Sequence, residues 1–176
     1  MEMTKSEIRS LMKRREAEFL ASGKAAEETA QIWRAVEQSE AFRKAGTVLA
    51  YMAIPGEVPT EDFIRKWAGR KRIAIPKVNG DTLDLYLYDP AKLQKGYKGI
   101  LEPSDDAQKI EPAQIDLALV PGVAFTKDGK RLGRGKGFYD RLLQSNRMYA
   151  TGIGFSFRWL PGLPSDPWDA ELTSRV

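Results

Sequence analysis

From Leu119 to Leu143 the chain reads LVPGVAFTKDGKRLGRGKGFYDRLL, a stretch that concentrates the residue types an anion needs. Gly133, Gly135 and Gly137 alternate with Arg134 and Lys136. Glycines let backbone amides come close to a phosphate, the cations supply charge, and a guanidinium adds two-pronged donation. An apolar run ending at Pro121 leads in, and an amphipathic pattern starts near Phe138, so the loop falls between a strand end and a helix N-terminus. Both places collect anionic ligands in α/β proteins. No GKS or GKT follows, and the spacing does not fit the dinucleotide fingerprint. That leaves a phosphate cradle of another kind, or a flexible basic turn. Asp140, in the first helical turn, suits either the helix dipole or a magnesium ion that also takes phosphate oxygens.

Other candidates are scattered along the chain. Lys5, Arg9 and Lys13 fall four apart and share a helix face, which is either a solvated stripe or a cationic wall. Glu57 follows a predicted strand, where α/β folds place ligand contacts, and reads equally as a loop acid. Asp169 stands in PSDPWDAEL, and Tyr97, Trp159 and Trp168 are aromatic surfaces for a flat ring or for plain packing.

The chain has neither Cys nor His. Disulfides, thiol nucleophiles, Ser-His and Cys-His relays, and the usual zinc sites are therefore excluded. Lys, Arg, Asp, Glu, Tyr, backbone amides and a hard cation remain, a set that suits phosphoryl transfer, where positioning and charge neutralisation supply most of the rate. A net charge of +4 and a pI of about 9.2 fit an anionic ligand such as a nucleotide, a polyglutamylated cofactor or nucleic acid.

These residues need elements to hold them. With 176 residues and 42% hydrophobic content, one domain spanning 1–176 is expected. Thr4 and Glu7 have capping-box spacing, so a helix is predicted from about Lys5 toward Ala21, and a second from Ala25 to Phe42. Strands are predicted at Thr47–Ala53, Arg72–Ile75 (stopped by Pro76), Asp116–Val120 and Thr151–Phe155. Thr82–Tyr88 alternates strictly and reads as a half-buried antiparallel strand, and Thr60 is placed to cap a short helix. Asp89 to Pro112 reads as a long surface excursion. The alternation of strand and helix predicts an α/β fold with a mostly parallel sheet and a helical N-terminus. No apolar run is long enough for a membrane span, and MEMTKSEIRS lacks a signal-peptide core, so a cytoplasmic protein without membrane partners is expected.

RLGRGKGFYD, together with KSEIR, YMAIPGEVPTEDFI, GYKGILEP and LPSDPWD in that order, resembles the 5-formyltetrahydrofolate cyclo-ligase family, the methenyltetrahydrofolate synthetases, over nearly the whole chain. Pro59 departs from it, standing where the family commonly has an acid. The resemblance implies a three-layer αβα, Rossmann-like fold acting as a monomer on 5-formyltetrahydrofolate, possibly polyglutamylated, with ATP as co-substrate and Mg²⁺ as cofactor. It implies that Lys5 and Arg9 reach the phosphates. It also implies that Arg131, Leu132, Gly133, Arg134, Gly135, Lys136, Gly137, Phe138 and Tyr139 wrap the ATP, with Arg134, Lys136 and Tyr139 closest to the reaction. Met52 and Glu57 then contact folate, and Asp140 and Asp169 hold the metal. An ATP enzyme of the same fold with another acceptor, and a basic nucleic-acid-binding module, are the alternatives.

Overall fold

The computed structural model describes residues 2–175. Its helices are α1 (Lys5–Ala21), α2 (Ala25–Gln38), α3 (Glu40–Lys44), α4 (Glu61–Trp67) and α5 (Phe138–Ser145). The strands are β1 (Thr47–Leu49), β2 (Arg72–Asn79), β3 (Thr82–Leu87), β4 (Leu93–Lys95), β5 (Leu101–Pro103), β6 (Lys109–Ile110), β7 (Leu117–Val120), β8 (Ala124–Phe125), β9 (Arg131–Leu132), β10 (Tyr149–Gly152) and β11 (Ser174–Arg175). Seven of them form one sheet in the order β11-β10-β7-β1-β2-β3-β6. The first five pair in parallel, and β3 runs antiparallel to both β2 and β6. The mostly parallel α/β expectation is met.

Alternation along the strands builds two cores. Val48, Ile73, Ile75, Leu117 and Leu119 face one side, where Trp33, Val36, Phe42 and Phe63 of α2, α3 and α4 cover them. Leu49, Ala74, Ala118 and Val120 face the other side, covered by Leu142 of α5 and by Phe125. A smaller cluster joins Ile8 and Met12 of α1 to Ala124 and Leu132, which fixes α1 against the hairpin of β8 and β9.

Local chemistry explains most boundaries. Thr4 Oγ1 accepts from the Glu7 amide at 3.2 Å and Glu7 Oε2 accepts from the Thr4 amide at 2.7 Å, so the capping box forms as predicted. The helix expected over Ala25–Phe42 is broken at Ser39, whose backbone is extended and whose Oγ accepts from the Phe42 amide at 3.3 Å, starting α3. Pro76 does not stop β2, because β1 pairs only with Arg72–Ala74 and leaves one edge of β2 open beyond it, where proline is tolerated. The Asp89–Pro112 stretch is not a bare excursion. It holds the β4–β5 hairpin and the edge strand β6, pieces too short to show a period.

Thr60 precedes α4 but makes no side-chain cap. Its buried Oγ1 instead donates to the Tyr51 carbonyl at 2.7 Å and accepts from the Ala53 amide at 3.3 Å, closing the turn that carries Glu57. Thr60→Val keeps the shape and removes both bonds. Urea denaturation is expected to show a loss of about 1–3 kcal/mol, the cost of leaving buried backbone groups unpaired.

Candidate active site

The strand order reverses between β1 and β7: β2, β3 and β6 lie on one side of β1, and β7, β10 and β11 on the other. Such a switch point leaves a crevice at the carboxyl ends of the strands. Here a cleft of about 810 Å³ opens there, between Glu57 in the segment after β1 and Pro121 and Gly122 directly after β7. Lys5 and Arg9 of α1, Arg131 through Tyr139, Asp140 and Asp169 also line it. Met52, Lys13 and Trp159 are absent from the lining; Met52 is partly buried against the core under α2 to α4.

The glycine-rich loop is pinned from three directions. Arg9 Nε donates to the Gly133 carbonyl at 3.0 Å, Arg131 Nε to the Pro121 carbonyl at 2.6 Å, and Arg141 Nη2 to the Lys136 carbonyl at 2.7 Å. Gly135 and Gly137 have φ of 106° and 72°, a region side chains resist, so the loop's path depends on glycine at these two positions. Gly137 directly precedes α5 and supplies no side-chain cap, which leaves the amides of the first turn for a ligand.

Charge is arranged unevenly around the cleft. Burial raises the pKa of Glu57 above the ordinary carboxylate value, against the Ile54 amide that donates to it at 3.1 Å and the Arg134 guanidinium at 3.3 Å. Burial likewise pushes the Tyr139 phenol up, with Glu57 adding to the effect, so Tyr139 keeps its proton and its hydroxyl can donate a hydrogen bond. Burial pulls the Arg131 guanidinium down, and the nearby Asp140 charge opposes that. Lys5 is desolvated too, but Asp166 and Asp169, each 2.6 Å from its Nζ, outweigh the burial and its pKa rises.

Asp140 Oδ1 accepts from the Ala170 amide at 3.1 Å and lies 3.8 Å from Arg131 Nη1, while Oδ2 accepts no hydrogen bond from the described residues. Asp169 uses Oδ2 for both Lys5 and the Asp166 amide.

A model of the 5-formyltetrahydrofolate cyclo-ligase family matches residues 1–176. The chain belongs to that family. It is 33% identical over 141 residues to the 5-formyltetrahydrofolate cyclo-ligase of Escherichia coli K12, a match covering 75% of this chain and 78% of that one. Against the Haemophilus influenzae cyclo-ligase it is 31% identical over 139 residues, 74% of each. The NMR structure of Aquifex aeolicus 5,10-methenyltetrahydrofolate synthetase superposes with a TM-score of 0.86 at 33% identity, covering 97% of this chain and 87% of that one. The Mycoplasma pneumoniae synthetase gives 0.75 at 28% identity, covering 98% of each.

Within this cyclo-ligase frame the structure separates the three aromatic candidates. Tyr97 is 80% exposed and Trp168 is 67% exposed, and both line the cleft, free to meet a planar ring. Trp159 is not available for that, because it stacks on Phe125 with centroids 5.0 Å apart. Asp166 and Arg141 also line the cleft without having been singled out by sequence reasoning. Their signal is weak: Asp166 lies in the same PSDPWD stretch as Asp169, and Arg141 resembles any helix-surface cation until its contacts with Asp81 and Lys136 are seen.

Proposed function

We propose that this chain closes 5-formyltetrahydrofolate to 5,10-methenyltetrahydrofolate at the expense of ATP, releasing ADP and phosphate, in folate one-carbon metabolism. The observation that carries this reading is one cleft with two unlike walls. A cationic glycine loop before α5 forms one, and the buried carboxylate Glu57 stands across it, 3.3 Å from Arg134. The first suits a triphosphate, the second a pterin amine.

The formyl oxygen attacks the γ-phosphorus as the bond to the β-phosphate oxygen breaks, giving ADP and an imidate-like phosphate. N10 then adds to the activated carbon, and the carbon–oxygen bond breaks to release phosphate, which carries away the proton that N10 loses. Arg134 and Lys136 neutralise charge gathering on the transferred group, and Tyr139, held protonated by burial, donates to it. No protein nucleophile is required, in keeping with a chain without Cys or His.

Magnesium suits the donor set. The described residues contain no group of three His, Cys, Asp or Glu that could form a ready-made cage. Mg²⁺ asks for less, binding through one or two carboxylates plus substrate phosphates, and Asp140 and Asp169 would hold it, where it would offset phosphate charge. Tyr97 and Trp168 are placed to stack on the ligands' rings. The working form is a cytoplasmic monomer, a single domain over 1–176, whose folate substrate extends to polyglutamylated 5-formyltetrahydrofolate. Lys5, Arg9, Arg131, Arg134, Lys136 and Arg141 all line this one cleft, a concentration of charge that suits a triphosphate and favours this reading over nucleic-acid binding.

Glu57 sets a pH dependence. Its carboxylate must be ionised to accept from the pterin, and burial raises its pKa, so KM for 5-formyltetrahydrofolate is expected to climb on acidification from a higher pH than an ordinary glutamate would give. The stability sign is opposite to that of a paired carboxylate. The native state holds this proton more tightly than the unfolded chain, so stability falls as pH rises from the ordinary value through the raised one. Steady-state KM measured across pH, with Glu57→Gln as control, checks the first point; a flat KM in the parent would discard the assignment.

The reading itself is tested by mixing protein, 5-formyltetrahydrofolate, ATP and Mg²⁺ and following the near-ultraviolet absorbance of the methenyl product. Formation that needs all four components supports it. ATP hydrolysis without folate change points to another acceptor.

A further inference from the structure

Arg158 is outside the cleft lining yet touches the elements that build its walls. The side chain is 2% exposed. Its Nη2 donates to Glu16 Oε2 of α1 at 2.6 Å and to the Gly56 carbonyl at 2.7 Å, and Nη1 donates to the Val123 carbonyl at 3.1 Å. Its face lies 4.6 Å from the Phe157 ring centroid. Nε is buried with no partner among the described residues. A residue kept only to fill this space would be better apolar, since an unpaired buried donor is costly and a well-packed hydrophobe of similar volume is not. The geometry favours the two oxygens at Nη2 over satisfying Nε.

One of those oxygens belongs to the residue before Glu57. Gly56 has φ of 89°, and a Cβ there would lie 2.2 Å from the Glu16 carboxyl, so the turn is pressed against the Arg158–Glu16 pair and only glycine fits. The glycine loop on the opposite wall does not depend on Arg158 in the same way, because Arg9, Arg131 and Arg141 each hold it directly.

We propose that Arg158 is a positioning residue for Glu57: by gripping the Gly56 carbonyl from behind, with Glu16 as its counter-charge, it fixes where the Glu57 carboxylate stands and so how tightly the folate is held. This rests on the reading of Glu57 as the folate-side carboxylate. It predicts an effect confined to one substrate, which a merely structural arginine would not give.

Steady-state kinetics and thermal melting of Arg158→Gln, Arg158→Lys, Glu16→Gln and Glu57→Gln test it. Arg158→Gln is expected to raise KM for 5-formyltetrahydrofolate about tenfold, the size of effect seen when a supporting shell is removed. KM for ATP and kcat should move by less than about threefold. Arg158→Lys should recover part of the folate KM, since an ammonium can still reach one carbonyl. Glu16→Gln should shift the same constant in the same direction with little change in melting temperature, and it decides the matter if Arg158→Gln does not fold. Unchanged folate KM in Arg158→Gln and Glu16→Gln, or parallel loss in kcat and both KM values that tracks melting temperature, overturns the proposal. If Glu57→Gln leaves folate KM unchanged, the assignment of Glu57 falls instead; if Glu57→Gln raises it and the other variants do not, only the role of Arg158 falls.

Discussion

Lys136→Ala is expected to lower kcat about a hundredfold or more at saturating ATP, the size of effect that follows loss of one preorganised charge at a developing anion. The substitution is clean. Lys136 is exposed, and its backbone carbonyl, not its side chain, accepts the bond from Arg141 that holds the loop. The glycines on either side keep their positive φ, and the ties from Arg9 and Arg131 remain. Melting temperature should therefore match the parent, so a fall in rate reports on charge rather than on folding. The division between constants matters as much as the size. A rise in KM for ATP with kcat unchanged would mean that Lys136 holds the ground-state phosphate as strongly as the transferred one, and would remove it from the chemical step.

Asp140→Asn is expected to cost about a hundredfold in kcat/KM for ATP at fixed magnesium. Asparagine can still accept from the Ala170 amide, so the tie between α5 and the Ala170 segment survives. What is lost is the charge, in two places. Arg131, already disfavoured by burial, loses the anion that opposes that penalty, which predicts a modest fall in stability. The cation that would sit with ATP loses a hard ligand, which predicts the larger effect on turnover. Titrating Mg²⁺ separates them: activity that recovers at high metal concentration supports the ligand role, and a deficit insensitive to metal assigns Asp140 to supporting Arg131 alone.

Much of this was legible in the chain, because the relevant signals are local. The capping box at Thr4 and Glu7, the alternation in Thr82–Leu87 and the glycines at 133, 135 and 137 each depend on neighbours within a few residues. What escaped depends on distant partners. Thr60 reads as a helix cap by position, but its hydroxyl donates instead to the carbonyl of Tyr51, nine residues back. Pro76 reads as a stop until the length of β1 is known. The three-residue strands in the Asp89–Pro112 stretch carry too few side chains to show any period. Trp159 and Trp168 are alike in sequence, and only packing against Phe125 tells the stacked, partly buried ring from the exposed one.

Lys5 stands between Asp166 and Asp169, and Asp169 follows it by 164 residues. A contact that joins the first residue of α1 to a segment so much later has a meaning for biosynthesis. While the chain is being translated, α1 and the glycine loop can both exist outside the ribosome and still fail to make a complete cleft, because its last wall has not emerged. Nascent and prematurely terminated chains that carry the whole glycine loop but not Asp166 and Asp169 are therefore expected to be idle.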